Sequence, residues 1–186
     1  MRNLNIFMTG VGGQGIGMLS EILVRAVDYA GYKFKGVDTH GLSQRGGIVV
    51  SQLRIGDNIH SPLIEKGEAD IVIALERHEA LRAGQEMLKP DGTLIWYDTS
   101  WQPLPVRLGS EKEIATKTVI DKVICKKNIR VFRNDLPDTR MQNIAVLSAM
   151  ISNSLIEGMD LQACEKAMKD LMPEKLLAMN LDVLKS

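Results

Sequence analysis

The stretch Leu4-Asn5-Ile6-Phe7-Met8-Thr9-Gly10-Val11-Gly12-Gly13-Gln14-Gly15-Ile16-Gly17 decides the fold. Leu4 to Met8 is a short apolar run ended by glycines, the pattern of a buried strand. Beyond the glycines, Leu19, Leu23, Ala26, Val27 and Ala30 recur at helical spacing, and Gly31 follows as a helix C-terminal glycine. Strand, glycine loop and helix therefore follow one another directly. Gly10, Gly12 and Gly15 fit G-x-G-x-x-G, with Gly13 and Gln14 between them. Glycines let the chain turn tightly and approach a ligand closely. The unpaired amides and dipole of a helix start favour phosphate or carboxylate. A tight strand–helix turn with no ligand is the alternative explanation of the same residues.

Tyr32 to Val37 reads as the second strand, and Asp38 closes it 38 − 15 = 23 residues after Gly15. That is about where a ribose-binding acid sits in dinucleotide-binding folds. A second glycine-rich loop follows: His40-Gly41-Leu42-Ser43-Gln44-Arg45-Gly46-Gly47. Arg45 offers a fork of donors suited to phosphate or carboxylate. Ser43 and Gln44 add neutral donors and acceptors, His40 a further polar group, and Gly46 and Gly47 permit close approach. Both loops are expected at the carboxyl ends of neighbouring strands, where open α/β sheets bind ligands.

Further along, Ile48 to Ile55 is a β-branched run, and Gly56-Asp57 is expected to fold it back onto Asn58-Ile59-His60 as a type II′ hairpin. Ala69 to Leu75 is nearly all apolar, as in a strand covered on both faces. Glu76 to Leu88 reads as a helix, Pro90-Asp91-Gly92 as a turn, and Thr93 to Tyr97 and Ile129 to Arg133 as strands. Thr139 to Glu157 is a helix by its apolar face. Asp160 is placed to cap the next one, and Pro173 to open the last. The expected fold is α/β: a three-layer single domain over residues 1–186, with helices on a mixed, mostly parallel sheet and a β-hairpin insertion.

Composition narrows the function. Lys plus Arg number 23 and Asp plus Glu number 23, which argues against broad nucleic-acid binding. The cysteines are two, Cys125 and Cys164, far apart in sequence, whereas an iron–sulfur cluster usually needs four thiolates. His40, His60 and His78 make no short metal-ligand pair, so no metal is expected on this chain. No G-x-S-x-G elbow is present and no catalytic residue is assigned. The opening apolar run is too short for a signal sequence, and no stretch approaches the roughly 20 apolar residues that span a bilayer; a cytoplasmic location is expected. Trp96 and Trp101 could form a surface for an aromatic substrate or a partner, or simply fill the core or an interface.

The two loops together, with Ser61-Pro62-Leu63-Ile64-Glu65-Lys66-Gly67-Glu68-Ala69-Asp70, Glu79-Ala80 and the Lys89-Pro90-Asp91-Gly92 turn, resemble the gamma-type subunit of 2-oxoacid:ferredoxin oxidoreductases, the indolepyruvate type in particular. The resemblance runs from residue 3 to about residue 109 and weakly through Arg140 to Asn143. Leu42-Ser43 stands where the indolepyruvate type has Met-Ala. The resemblance implies oxidative decarboxylation of a 2-oxoacid to an acyl-coenzyme A with ferredoxin as acceptor. It implies a larger partner subunit carrying thiamine diphosphate and iron–sulfur clusters. Gly10, Gly12, Gly13, Gln14, Gly15, Asp38, His40, Ser43, Gln44, Arg45, Gly46 and Gly47 are the candidate binding residues, with coenzyme A a candidate ligand at the subunit interface. A free-standing NAD-dependent dehydrogenase and an interaction module without a small-molecule ligand are the competing expectations.

Overall fold

A computed structural model describes residues 3–39, 47–101 and 104–186. Its centre is one six-stranded sheet: β1 (Leu4–Val11), β2 (Phe34–Thr39), β3 (Ile48–Ile55), β4 (Ala69–Ala74), β5 (Leu88–Tyr97) and β6 (Lys127–Val131), in spatial order β2-β3-β1-β4-β5-β6. β1, β4, β5 and β6 run parallel to one another, while β3 runs antiparallel to both β1 and β2. The sheet is therefore mixed and mostly parallel, as its sequence pattern implies.

Side chains alternate across the sheet with the period of two that a pleated strand imposes. Ile6 and Met8, Ile71 and Ile73, and Ile95 and Tyr97 face one core. There they meet α1 (Ile16–Tyr29), α5 (Gln142–Ser152), α6 (Leu161–Leu171) and α7 (Glu174–Lys185). Phe7, Val72, Ala74, Leu94 and Trp96 face the opposite core, against α2 (Arg77–Glu86) and α4 (Thr116–Lys122). Helix, sheet and helix make the three layers. A four-residue α3 (Leu104–Arg107) links β5 to α4. No helix among the described residues is long and apolar enough to cross a membrane.

Three local expectations are corrected. Residues 58–60 form no strand, so Gly56-Asp57 is not a hairpin turn; β3 instead finds its antiparallel partners in β1 and β2. Gly56 does adopt a backbone that favours glycine, φ 148°, but this is not the type II′ value near +60°, and long-range pairing satisfies β3 on both sides. Pro90-Asp91-Gly92 lies inside β5, next to a register shift between Ala69 and Ile71 that absorbs it. The helix expected from Thr139 to Glu157 starts as a 3-10 turn (Thr139–Met141) and ends at Ser152. Asp160 does cap α6, accepting from the Ala163 amide at 2.8 Å.

Candidate functional site

The glycine loop leaves the carboxyl end of β1 and enters α1. Two of its glycines have backbone that other residues rarely adopt, Gly13 at φ 99° and Gly15 at φ 82°. At Gly15 a Cβ would sit 2.5 Å from Asn143 Nδ2, so the residue is also required by packing. Gly10 is similarly enclosed, a Cβ there lying 3.0 Å from Ile16 Cγ1. A Cβ at Gly13 or Gly17 would meet nothing within 4 Å. The loop is thus packed on one side and open over Gly13 and the first turn of α1. No side chain caps α1, and amides in a first helical turn have no acceptor within the helix.

Gln14 turns the other way. Its side chain is fully buried; Oε1 accepts from the Val11 amide at 2.7 Å and Nε2 donates to the Leu75 carbonyl at 2.6 Å. It braces the loop against the end of β4, so its side chain is committed within the protein. On α5, Asn143 Nδ2 donates to the Gly15 carbonyl at 3.2 Å. Asn143 is a loop residue in effect, 128 positions away in sequence, and only the weak family likeness around it marked it beforehand.

The last residue of the second loop, Gly47, comes to the same edge. Val11 pairs with Ile48, and the Gly12 amide donates to the Gly47 carbonyl at 2.9 Å. Gly12 and Gly47 are therefore in contact, although β1 and β2, whose carboxyl ends lead into the two loops, are not neighbours as expected, since β3 lies between them. His40, Ser43, Gln44, Arg45 and Gly46 lie outside the described residues. Asp38 does not join the glycine loop. It pairs in register with Ser51 of β3, which pairs in turn with Met8 of β1, so two strand spacings, about 10 Å, separate it from β1. Its Oδ1 accepts from Ser20 Oγ at 3.1 Å, and it lines a cleft of about 630 Å³ between α1 and β2, with Val24 and Arg25. The inserted β3 is the physical reason a ribose-binding arrangement is not built.

Charged groups buried beside the edge are committed to each other. Thr9 Oγ1 donates to Glu79 Oε2 at 2.5 Å, and Arg82 pairs with Glu79 at 2.5 Å. Glu76 caps α2, accepting from the His78 and Glu79 amides at 2.6 and 3.1 Å; burial pushes its carboxyl up from the ordinary value, against the pull of the adjacent His78. Asp98, at the end of β5, accepts from Arg77, Arg130 and Thr116. Glu76 and Asp98 were not singled out from the sequence, and Glu79 was marked only by the family resemblance at Glu79-Ala80. Trp96 is core, its Nε1 bonded to Asn128 Oδ1 at 2.8 Å, whereas Trp101 lines a cavity at the sheet edge. Cys164 is buried, its thiol pushed up to about 12 chiefly by that burial; Cys125 is half-buried on the opposite core.

Fold and site define an α/β subunit whose glycine loop, open over Gly13 and Gly17, stands at the carboxyl edge of a mixed sheet. The family described as pyruvate ferredoxin/flavodoxin oxidoreductase matches residues 5–186, and the chain belongs to that family. Membership makes it part of an oxidoreductase. The indolepyruvate oxidoreductase subunit IorB of Archaeoglobus fulgidus is 34% identical over 188 residues, covering 98% of this chain and 92% of that protein. The IorB subunit of Methanothermobacter thermautotrophicus is 44% identical over 93 residues, 50% of this chain and 47% of that one. Among solved structures, the keto/oxoacid ferredoxin oxidoreductase gamma subunit of Geobacter sulfurreducens has a TM-score of 0.67 at 22% identity, covering 98% of this chain and 94% of that one. The 2-oxoglutarate:ferredoxin oxidoreductase of Magnetococcus marinus, with 2-oxoglutarate, coenzyme A and succinyl-CoA bound, reaches 0.71 at 17% identity over 100% of this chain and 30% of that one. These last two likenesses concern the fold.

Proposed function

We propose that this chain is the small subunit of an indolepyruvate-type 2-oxoacid:ferredoxin oxidoreductase. In that complex a larger partner, carrying thiamine diphosphate and iron–sulfur clusters, decarboxylates the oxoacid and sends the electrons to ferredoxin in the cytoplasm. The observation that carries the reading is the end-to-end likeness to the Archaeoglobus fulgidus IorB subunit, which spans 98% of this chain. The cleft between the two glycine loops is the small subunit's contribution to ligand binding. Open space over Gly13 and Gly17, beside the start of α1, suits the phosphate groups of coenzyme A. On this proposal Gly10, Gly12, Gly15 and Gly47 shape that cleft, and Arg45 is the residue assigned to supply its charge.

Co-expression with the large subunit tests the assignment. The two chains are expected to copurify as a brown, thiamine-dependent complex that reduces ferredoxin with indolepyruvate and coenzyme A. A stable complex that turns over no 2-oxoacid, or no association at all, would remove it. A free-standing NAD-dependent dehydrogenase is the weaker reading, because Asp38 lies on the far side of β3 from the glycine loop.

A further inference from the structure

At the carboxyl ends of β5 and β6 the sheet edge holds a cavity of about 320 Å³, with Tyr97, Trp101, Phe132, Leu136, Thr139 and Gln142 in its lining. The chain has only 2 Trp, 3 Tyr and 3 Phe, and one of each meets here. Phe132 is 59% exposed, and the Arg130 guanidinium lies over its ring, 5.7 Å from the centroid. Gln142 is 2% exposed, and its Nε2 has no hydrogen-bond acceptor among the described residues. The buried Oγ of Ser100, between the lining residues Thr99 and Trp101, also lacks a partner among them. Buried polar groups in native proteins are paired with protein, ligand or water, so an unmet donor in a cavity wall marks where an outside acceptor arrives.

Asp98 and Arg133, the charged residues of the lining, are already paired. Arg133 holds Asp135 and also donates to the Val183 carbonyl and Ser186 Oγ. Asp98 is held by Arg77, Arg130 and Thr116. The wall therefore offers aromatic surface and a neutral amide donor, with no free charge to hold an ionic metabolite. Its size is at the small end of ligand pockets, room for one large side chain and its peptide group. Exposed aromatic rings beside an arginine, around a desolvated polar group, are the composition of the energetic centre of a protein–protein interface. Position agrees with this. β1, β4, β5 and β6 run parallel, so the glycine loop after β1 and the cavity after β5 and β6 stand at the same edge of the sheet.

We propose that this cavity is a docking socket for the larger partner subunit, which inserts one large uncharged side chain between Trp101 and Phe132 and offers a backbone carbonyl to Gln142 Nε2. The identity of the partner rests on the function proposed above; the socket is a separate assignment. A partner seated there approaches the carboxyl edge of the sheet, the edge on which the glycine loop also stands.

The test is the dissociation constant between the full chain and the separately purified larger subunit. Phe132→Ala and Trp101→Ala are each expected to raise it at least roughly tenfold. Leu176→Ala, at an exposed apolar position of α7, is expected to leave it unchanged. Gln142→Leu is expected to raise it roughly threefold to tenfold, while the free chain melts no lower than wild type, because the change removes a donor that the free chain leaves unmet. Should Trp101→Ala fail to fold, Phe132→Ala, at an exposed position, carries the test. Folded Phe132→Ala and Trp101→Ala chains that bind as tightly as wild type overturn the socket and leave the subunit assignment standing, the result for a cavity that holds only water or a small molecule. Equal weakening by Leu176→Ala also overturns it. A free Gln142→Leu chain that melts well below wild type overturns the carbonyl contact. Wild-type chains that do not associate overturn both the subunit assignment and the socket.

Discussion

The amide of Gly12 donates to the carbonyl of Gly47 at 2.9 Å, across 47 − 12 = 35 positions of sequence. The bond extends the β1–β3 ladder, whose last pair is Val11 with Ile48, by one step beyond both strands. It brings the two glycine loops to one edge and withdraws one amide of the first loop from any ligand. What stays accessible is the backbone around Gly13 and the start of α1. The antiparallel insertion of β3 thus does two things. It carries the second loop to the first, and it pushes Asp38 away.

Gly15→Ala should destabilise the protein by about 1–3 kcal/mol. A left-handed backbone costs a residue with a Cβ roughly 1–2 kcal/mol, and here the added atom would also lie 2.5 Å from Asn143 Nδ2. Asn143→Ala removes the second component, so the double variant is expected to be less destabilised than the sum of the two single changes. Urea unfolding of all four proteins measures this coupling, and strict additivity would mean that Asn143 does not press on the loop.

Gln14→Leu should cost about 2–4 kcal/mol, since it strips partners from the buried Val11 amide and Leu75 carbonyl at once. Affinity for an anion at the loop should fall only through loosening of the turn. A folded Gln14→Leu protein with full stability would show that the brace is not needed.

The sequence made legible what depends on near neighbours. The glycine run after Leu4–Met8 announced a strand–loop–helix unit, and the apolar stretch from Ala69 announced a strand covered on both faces, because period and composition act within a few residues. The roles that escaped notice depend on distant partners. Gln14 reads as a polar loop residue until Leu75 is brought to its amide. Asn143 reads as an ordinary helix residue until α5 packs over Gly15. The false hairpin at Gly56 has the same origin, for Gly-Asp is a turn signal in sequence while the pairing of β3 is decided by β1 and β2.

Stability in acid should carry the signature of Asp98. Burial pushes its carboxyl up, but hydrogen bonds from Arg77, Arg130 and Thr116 outweigh this and hold it below its ordinary value of 3.8. A carboxylate depressed in the folded state contributes stability above its unfolded value and loses it as pH falls through the folded one. Asp98→Asn should therefore cost about 1–3 kcal/mol at neutral pH, with Arg130 half-exposed and partly screened. The gap between wild type and variant should close below about pH 3.8. Chemical denaturation from pH 2 to pH 7 reads it directly, and a constant gap would show that Asp98 is not the titrating group.

Arg45 is the cation assigned to the cleft, and it is joined to Gly47 by two peptide units, a reach of about 7 Å. Gly47 in turn is bonded to Gly12. A charge-assisted hydrogen bond contributes about 1.5–3 kcal/mol, which corresponds to a factor of roughly 10–100. In the complex with its larger partner, Arg45→Ala should raise the Michaelis constant for coenzyme A by that factor. The constant for the oxoacid should stay nearly unchanged, because under the proposed function the oxoacid reacts on the partner. Arg45→Lys should recover part of the loss, since the charge remains while the two-pronged geometry does not. Unaltered coenzyme A kinetics in Arg45→Ala would mean that the cleft is closed by the partner's backbone and not by an anion.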